Sequence, residues 1–239
     1  MNGLITYGNL SSFAYSNERL IRGEIRGAVL NFFGLGGMTM YPNDPTEGLE
    51  FAEQNLLYVV PYYNPWSWMN RQAVRYTDEV LAVLLAQCGL DPHTVRIAST
   101  GGSMGGLAAL VYCAYAAITP TACFTNCPVC DLSFHYSERP DLPRTLYSAF
   151  GDYDCDLETA LRSCSPLHLT DRLPRIPYTV YHCRNDKAVG FERHAVPFVA
   201  AMQEAGHRIS LTEVPLRGHC DLPPAYALSY REAILDVFA

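Results

Sequence analysis

The sequence predicts an α/β fold in which a mostly parallel central sheet is flanked by helices. Three observations carry that reading. Apolar runs of strand length recur at Ala28–Phe33, Leu56–Val60, Ala122–Cys127 and Tyr178–Cys183 with little alternation, as strands covered on both faces require. Segments with helical spacing separate several of them, the pattern of strands joined by crossovers. Several runs also end in a glycine or polar turn, where open α/β sheets hold their ligands.

At 239 residues, 49% hydrophobic and 17% charged, the chain has material for one large domain and its core. A net charge of -7 argues against nucleic acid or anionic membrane as partners, since both reward clustered cations. A small-molecule substrate fits that balance. The first residues carry neither a basic nor an apolar leader pattern, and no run reaches ~18 uninterrupted apolar residues, which predicts a cytoplasmic protein. Nine cysteines without the spacing of a disulfide scaffold predict buried, reduced thiols. Cys127-Pro-Val-Cys130 lacks the second ligand pair of a zinc site and the early βα setting of a redox motif, so neither metal nor cofactor is expected.

From the N-terminus, Leu4–Tyr15 and Glu18–Arg22 read as short strands broken by Gly8-Asn9 and Ser16-Asn17, an antiparallel entry to the sheet. Ala28–Phe33 ends in Gly34-Leu35-Gly36-Gly37, whose amides can face a crevice. After Leu56–Val60, the residues Tyr62, Tyr63, Trp66 and Trp68 crowd four rings into a loop, either to pack onto the domain or to line a pocket; all four are candidate substrate contacts. Asn70 is the expected N-cap of a helix whose Val74, Thr77, Leu81, Leu84, Leu85 and Cys88 keep helical spacing up to Gly89. Arg96–Ser99 returns as a strand, and Leu107–Ile118 reads as a helix stopped by Thr119-Pro120.

Beyond Ala122–Cys127 the pattern changes. Pro140, Pro143, Pro166, Pro174 and Pro177 interrupt scattered aromatics and a short helical pattern near Leu157–Arg162. This predicts an inserted cap at about 133–177 within a single domain spanning 1–239, with Phe134, His135, Tyr136 and Tyr147 as candidate roof residues. Tyr178–Cys183 then forms a strand, Phe198–Ala205 a helix stopped by Gly206, Ile209–Val214 an alternating edge strand, and Pro223–Phe238 a closing helix.

The chemistry centres on Gly101-Gly102-Ser103-Met104-Gly105, a G-x-S-x-G pattern between strand and helix. Its glycines let the two elements approach closely and tolerate a strained backbone that exposes the serine hydroxyl. A helix N-terminus after the turn points amides outward, where they can hold an oxyanion. Ser103, Asp186 and His219 occur in the order serine, acid, histidine, each just beyond a predicted core strand. Serine is a poor nucleophile alone; an imidazole can take its proton, and a carboxylate fixes the imidazole's tautomer. Asp131, after the preceding strand, is an alternative acid, whereas His182 and His207 read as structural.

With these residues the chain resembles an α/β-hydrolase, nearest to the prolyl-oligopeptidase-like and acyl-esterase branch. The resemblance covers nearly the whole chain and extends to Ser165-Pro166-Leu167-His168. It implies Ser103 as nucleophile in its elbow, Asp186 of Asn-Asp-Lys-Ala-Val as acid, and His219 of Arg-Gly-His as base. It further implies an oxyanion hole from the backbone N–H groups of Met104 and Leu35. In one respect the chain departs from the pattern: many relatives begin the glycine turn with His-Gly, and here Phe33 precedes Gly34.

The expected function is hydrolysis of small carboxylic esters through an acyl-enzyme. Peptidases of that branch usually carry an N-terminal propeller or gating segment, while this chain begins almost directly with the hydrolase sheet, which favours esters over the alternative of small peptides. A decayed site serving only as a binding module is the third reading, and the presence of serine, acid and base together argues against it.

Overall fold

A computed structural model describes residues 4–37 and 40–239. Seven strands form one sheet: β1 (Ala14–Ser16), β2 (Gly27–Phe32), β3 (Leu56–Pro61), β4 (Ile97–Gly102), β5 (Ala122–Asn126), β6 (Tyr178–Cys183) and β7 (Ile209–Val214), in the order β1-β3-β2-β4-β5-β6-β7. All neighbours pair in parallel except β1, which runs antiparallel to β3. The chain passes outward from β2 to β3, then returns to lay β4 on the other side of β2. That reversal puts the turns after β2 and β4 side by side, the crevice in which sheets of this kind bind ligands.

The sheet is flanked by helices α1 (Thr46–Glu53), α2 (Arg71–Gln87), α3 (Met104–Tyr115), α4 (Leu132–Glu138), α5 (Leu142–Phe150), α6 (Leu157–Ser163), α7 (Ala195–Glu204) and α8 (Pro224–Leu235), with short 3-10 turns between some elements. Successive residues of β2 face opposite sides, as the strand's period of two requires. Ala28, Leu30 and Phe32 join the larger core with Val80, Leu81 and Leu84 of α2, most of α3, and Phe198 and Met202 of α7. Val29 points the other way, into a smaller core with Phe51 of α1 and Ile234 of α8. Ten residues of α3, from Met104 to Cys113, are buried, so the helix that follows the serine is held from all sides. No helix among the described residues is long and apolar enough to cross a membrane.

The structure corrects the expectations at three places. Leu4–Tyr15 is not a strand: residues Tyr7–Ser12 form a 3-10 helix, closed by Asn9 Oδ1 accepting the Thr6 amide at 2.7 Å, and only Ala14–Ser16 pairs in the sheet. Glu18–Leu20 is likewise a 3-10 turn, after Asn17 spends its buried side chain on Leu56 O and Tyr58 N. Helix α3 ends at Tyr115 rather than Ile118, because Asp78 accepts both the Tyr112 hydroxyl (2.9 Å) and the Ala117 amide (3.1 Å), drawing the chain out of helical register. Between β5 and β6 lie α4, α5 and α6, and all nine cysteines are free thiols.

Candidate active site

Ser103 sits between β4 and α3 with φ 59° and ψ -126°, a left-handed conformation that a side chain adopts only under constraint. The glycines explain how the constraint is met. A Cβ on Gly101 would collide with Gly105 O, and one on Gly105 would collide with Phe32 O, so strand, helix and the end of β2 touch through bare backbone. Two further bonds hold the tip: Ser103 N donates to Asn126 O at 2.9 Å, and Val129 N donates to Ser103 O at 3.3 Å.

His219 follows β7 on a turn flanked by the left-handed residues Leu216 and Cys220. Its Nε2 lies 2.8 Å from Ser103 Oγ and its Nδ1 2.6 Å from Asp186 Oδ2. Asp186, beyond β6, is buried, and its Oδ1 accepts the amides of Ala188 (2.8 Å) and Val189 (2.9 Å). Asn185 N donates to Arg217 O at 3.0 Å, which ties the acid loop to the histidine loop. Burial pushes the Asp186 carboxyl upward, but the His219 bond and the two amides outweigh it and leave its pKa lowered. The same bond to Asp186 raises His219 against the opposing effect of its own burial. A carboxylate can only accept, so Nδ1 carries the proton and Nε2 offers a lone pair to the Ser103 hydroxyl.

Gly34 lies against this site: a Cβ there would be 3.8 Å from Ser103 Cβ. The turn closes through Gly37 N to Gly34 O (3.0 Å), with Gly36 at φ 62°, and Gly36 N donates to Pro65 O at 3.1 Å. The Leu35 and Met104 amides have no protein acceptor among the described residues, leaving two donors beside the serine. Phe33 stacks on Tyr63 with ring centroids 4.4 Å apart.

The aromatic loop divides. Tyr63 and Trp68, two of the expected substrate contacts, are buried: Tyr63 stacks on Phe33 beneath the glycine turn and lines part of the groove beside it, whereas Trp68 donates its indole N–H to Thr145 Oγ1 at 3.1 Å. Trp66 is 49% exposed and its ring lies beside Gly36; Tyr62, partly buried, accepts the Tyr41 amide. Together they edge a groove of about 690 Å3 that also meets Tyr76, Gln72 and Arg144, and none of Ser103, Asp186 and His219 lines it. The groove is therefore lined apart from Ser103, Asp186 and His219. Asp131 makes no bond to His219; its Oδ1 caps α4 by accepting the Phe134 amide at 3.2 Å.

Several neighbours escape sequence reasoning. Cys220, adjacent to His219, has Sγ 3.9 Å from His219 Nε2, and Asn126 donates to Cys220 O at 3.2 Å. His135, expected in a roof, is buried instead with Nδ1 2.5 Å from Glu138, which also receives His194 Nε2 at 2.9 Å. The i,i+3 spacing of His135 and Glu138 was the only sequence signal of that cluster.

Residues 68–238 match the model of the prolyl oligopeptidase family, a span that contains the serine, acid and histidine together. The chain belongs to the prolyl oligopeptidase family. Among solved structures it is similar to Pyrococcus horikoshii acylaminoacyl peptidase, with 14% identity and a TM-score of 0.69 over 90% of this chain and 37% of that one. A Mycobacterium tuberculosis puromycin-hydrolyzing peptidase gives 18% identity and a TM-score of 0.65 over 89% and 33%. Thermogutta terrifontis esterase 2, phosphoramylated by tabun, gives 20% identity and a TM-score of 0.62 over 94% and 88%. The chain spans about a third of the length of the two peptidases. At these identities the likeness is one of fold. No curated protein sequence matches the chain.

Proposed function

We propose that this member of the prolyl oligopeptidase family is a serine esterase that cleaves small carboxylic esters through an acyl-enzyme. The observation that carries the reading is the unbroken line from Ser103 Oγ through His219 to Asp186, at 2.8 and 2.6 Å. In the first step Ser103 Oγ attacks the ester carbonyl carbon while its proton passes to His219 Nε2. The carbonyl oxygen, now an anion, is held by the Leu35 and Met104 amides, and Asp186 stabilises the imidazolium through Nδ1–H. Collapse expels the alcohol, which takes the proton from Nε2. Water then attacks the acyl-serine, with His219 again accepting a proton and returning it to Ser103 Oγ.

Esters are favoured because an alkoxide departs with less help from a well-aimed acid than an amine does. Thermogutta esterase 2, matched along most of both chains, supports that choice; the two peptidase neighbours and the family support the alternative of small peptides. In this reading α4 to α6 and their connections, about 133–177, serve as a cap, and Tyr62 and Trp66 touch the substrate. Initial rates on acetyl, butyryl and aryl esters beside matched aminoacyl and proline-linked amides separate the readings. Higher kcat/KM on the esters is expected; a preference for the amides assigns a peptidase.

A further inference from the structure

Among the described residues, three clusters bring the ligand atoms of His, Cys, Asp or Glu within 4.8 Å of one another: His135–Glu138–His194, Cys127–His182–Asp186 and Cys127–His219–Cys220. Tautomers separate them. His194 Nδ1 receives the Cys130 and Asp131 amides at 3.1 and 3.4 Å, so it carries a lone pair and Nε2 carries the proton that faces Glu138. A cation at Nε2 would have to remove that proton while the amides hold the other nitrogen as an acceptor. His182 Nε2 lies 2.9 Å from Val189 O, a pure acceptor, and is protonated for the same reason. His219 is the opposite case. Its Nδ1–H is fixed on Asp186, and Nε2 presents a lone pair toward Ser103 and Cys220.

We propose that Cys127, Cys220 and His219 form a site for a thiophilic divalent cation, zinc or cadmium, whose binding shuts off the hydrolase. Carboxylate to histidine to metal is the arrangement that orients many metal-bound imidazoles, and Asp186 supplies the carboxylate. Tetrahedral bonds of ordinary length put sulfur and nitrogen ligands about 3.6 Å apart. The observed 3.9 Å between Cys220 Sγ and His219 Nε2 closes to that value with a small side-chain rotation. Cys127 Sγ already accepts the amides of Cys183 (3.3 Å) and Cys220 (3.4 Å), bonds that stabilise a metal-bound thiolate. Access runs past Cys220, which is partly exposed, and His219, whose side chain is 31% exposed.

Binding releases one proton from each thiol, so the two thiolates neutralise the cation, and a water or Ser103 Oγ completes the four ligands. The His219 lone pair is then bonded to metal and cannot take the Ser103 proton. The metal site itself does not depend on the esterase reading; only the inhibition does.

The test uses reduced, chelator-treated protein carrying Cys155→Ser, which removes the exposed thiol, and cadmium alone as the probe. Calorimetry should count one cadmium per chain, with a thiolate-to-metal absorption band rising in step. Ester turnover should fall in proportion and return with excess chelator. Cys220→Ala should weaken both cadmium binding and inhibition, relative to that variant's own turnover, by at least about tenfold. Cys220→Ser, closer in size, serves the same comparison if alanine unfolds the turn. Ser103→Ala should still bind one cadmium with the same band, so the site is read even where the catalytic proposal fails. Absence of the thiolate band, or equal affinity in the Cys220 variants, overturns the proposal.

Discussion

His219 Nδ1 stands 2.6 Å from Asp186 Oδ2, and each partner moves the other's pKa toward the charged pair. The raised histidine contributes stability that is full below the ordinary histidine pKa and is lost as pH rises through the raised value. The lowered carboxylate contributes stability above the ordinary carboxylate range, lost as pH falls through its depressed value. Catalysis needs the neutral imidazole, so kcat/KM should climb with pH through the raised His219 pKa, the region where the pair's stabilisation fades. Asp186→Asn should move that acid limb to lower pH and cut the plateau by on the order of 10^3 to 10^4. Asp131→Asn should cost little, because asparagine caps a helix as well as aspartate does. A limb that stays in place in folded Asp186→Asn would assign the acid elsewhere.

Trp66 and Trp68 should part company under mutation. Trp68→Ala empties a buried site and loses the Thr145 bond, so it should destabilise by ~3–5 kcal/mol in urea unfolding. Trp66→Ala should leave stability nearly unchanged and alter kcat/KM by about 10 to 200-fold on substrates that reach the groove, with little effect on acetyl esters. Equal losses on every substrate would make Trp66 a support for the Gly36 turn alone.

Glu138 is the anchor between α4 and the segment before α7. Burial works against its charge, yet the bonds from His135 and His194 hold its pKa down to about 2. A depressed carboxylate stabilises above its unfolded pKa and loses that contribution as pH falls. Glu138→Gln should therefore cost on the order of 2–3 kcal/mol at neutral pH, with the gap narrowing below about pH 4.5. Urea midpoints at pH 7, 5 and 4 check this; a gap independent of pH would mean that packing, not charge, links the segments.

Strands β2, β3, β5 and β6 were readable because they are largely buried and read as mostly apolar runs, whereas β4, Ile97–Gly102, was placed by the serine turn that follows it. Ser103 was readable because Gly101 and Gly105 are the residues that so close a crossing permits. What failed depended on partners far along the chain. Trp68 finds Thr145 after 77 residues, and Asp78 ends α3 from 39 residues upstream. Leu4–Tyr15 was misread because one local side-chain bond, Asn9 to Thr6, diverted an apolar stretch into a 3-10 turn. Cys220 adjoins His219 in sequence, yet its partner Cys127 lies on a different loop, so no spacing rule joins them.

Acylation chemistry tests the central claim most directly. Folded protein quenched during the pre-steady-state burst on p-nitrophenyl acetate should carry one acetyl group on the peptide containing Ser103, and Ser103→Ala should carry none while keeping its melting temperature. An acetyl group on Cys220, the other nucleophile within reach of His219, or undiminished turnover in Ser103→Ala would contradict it.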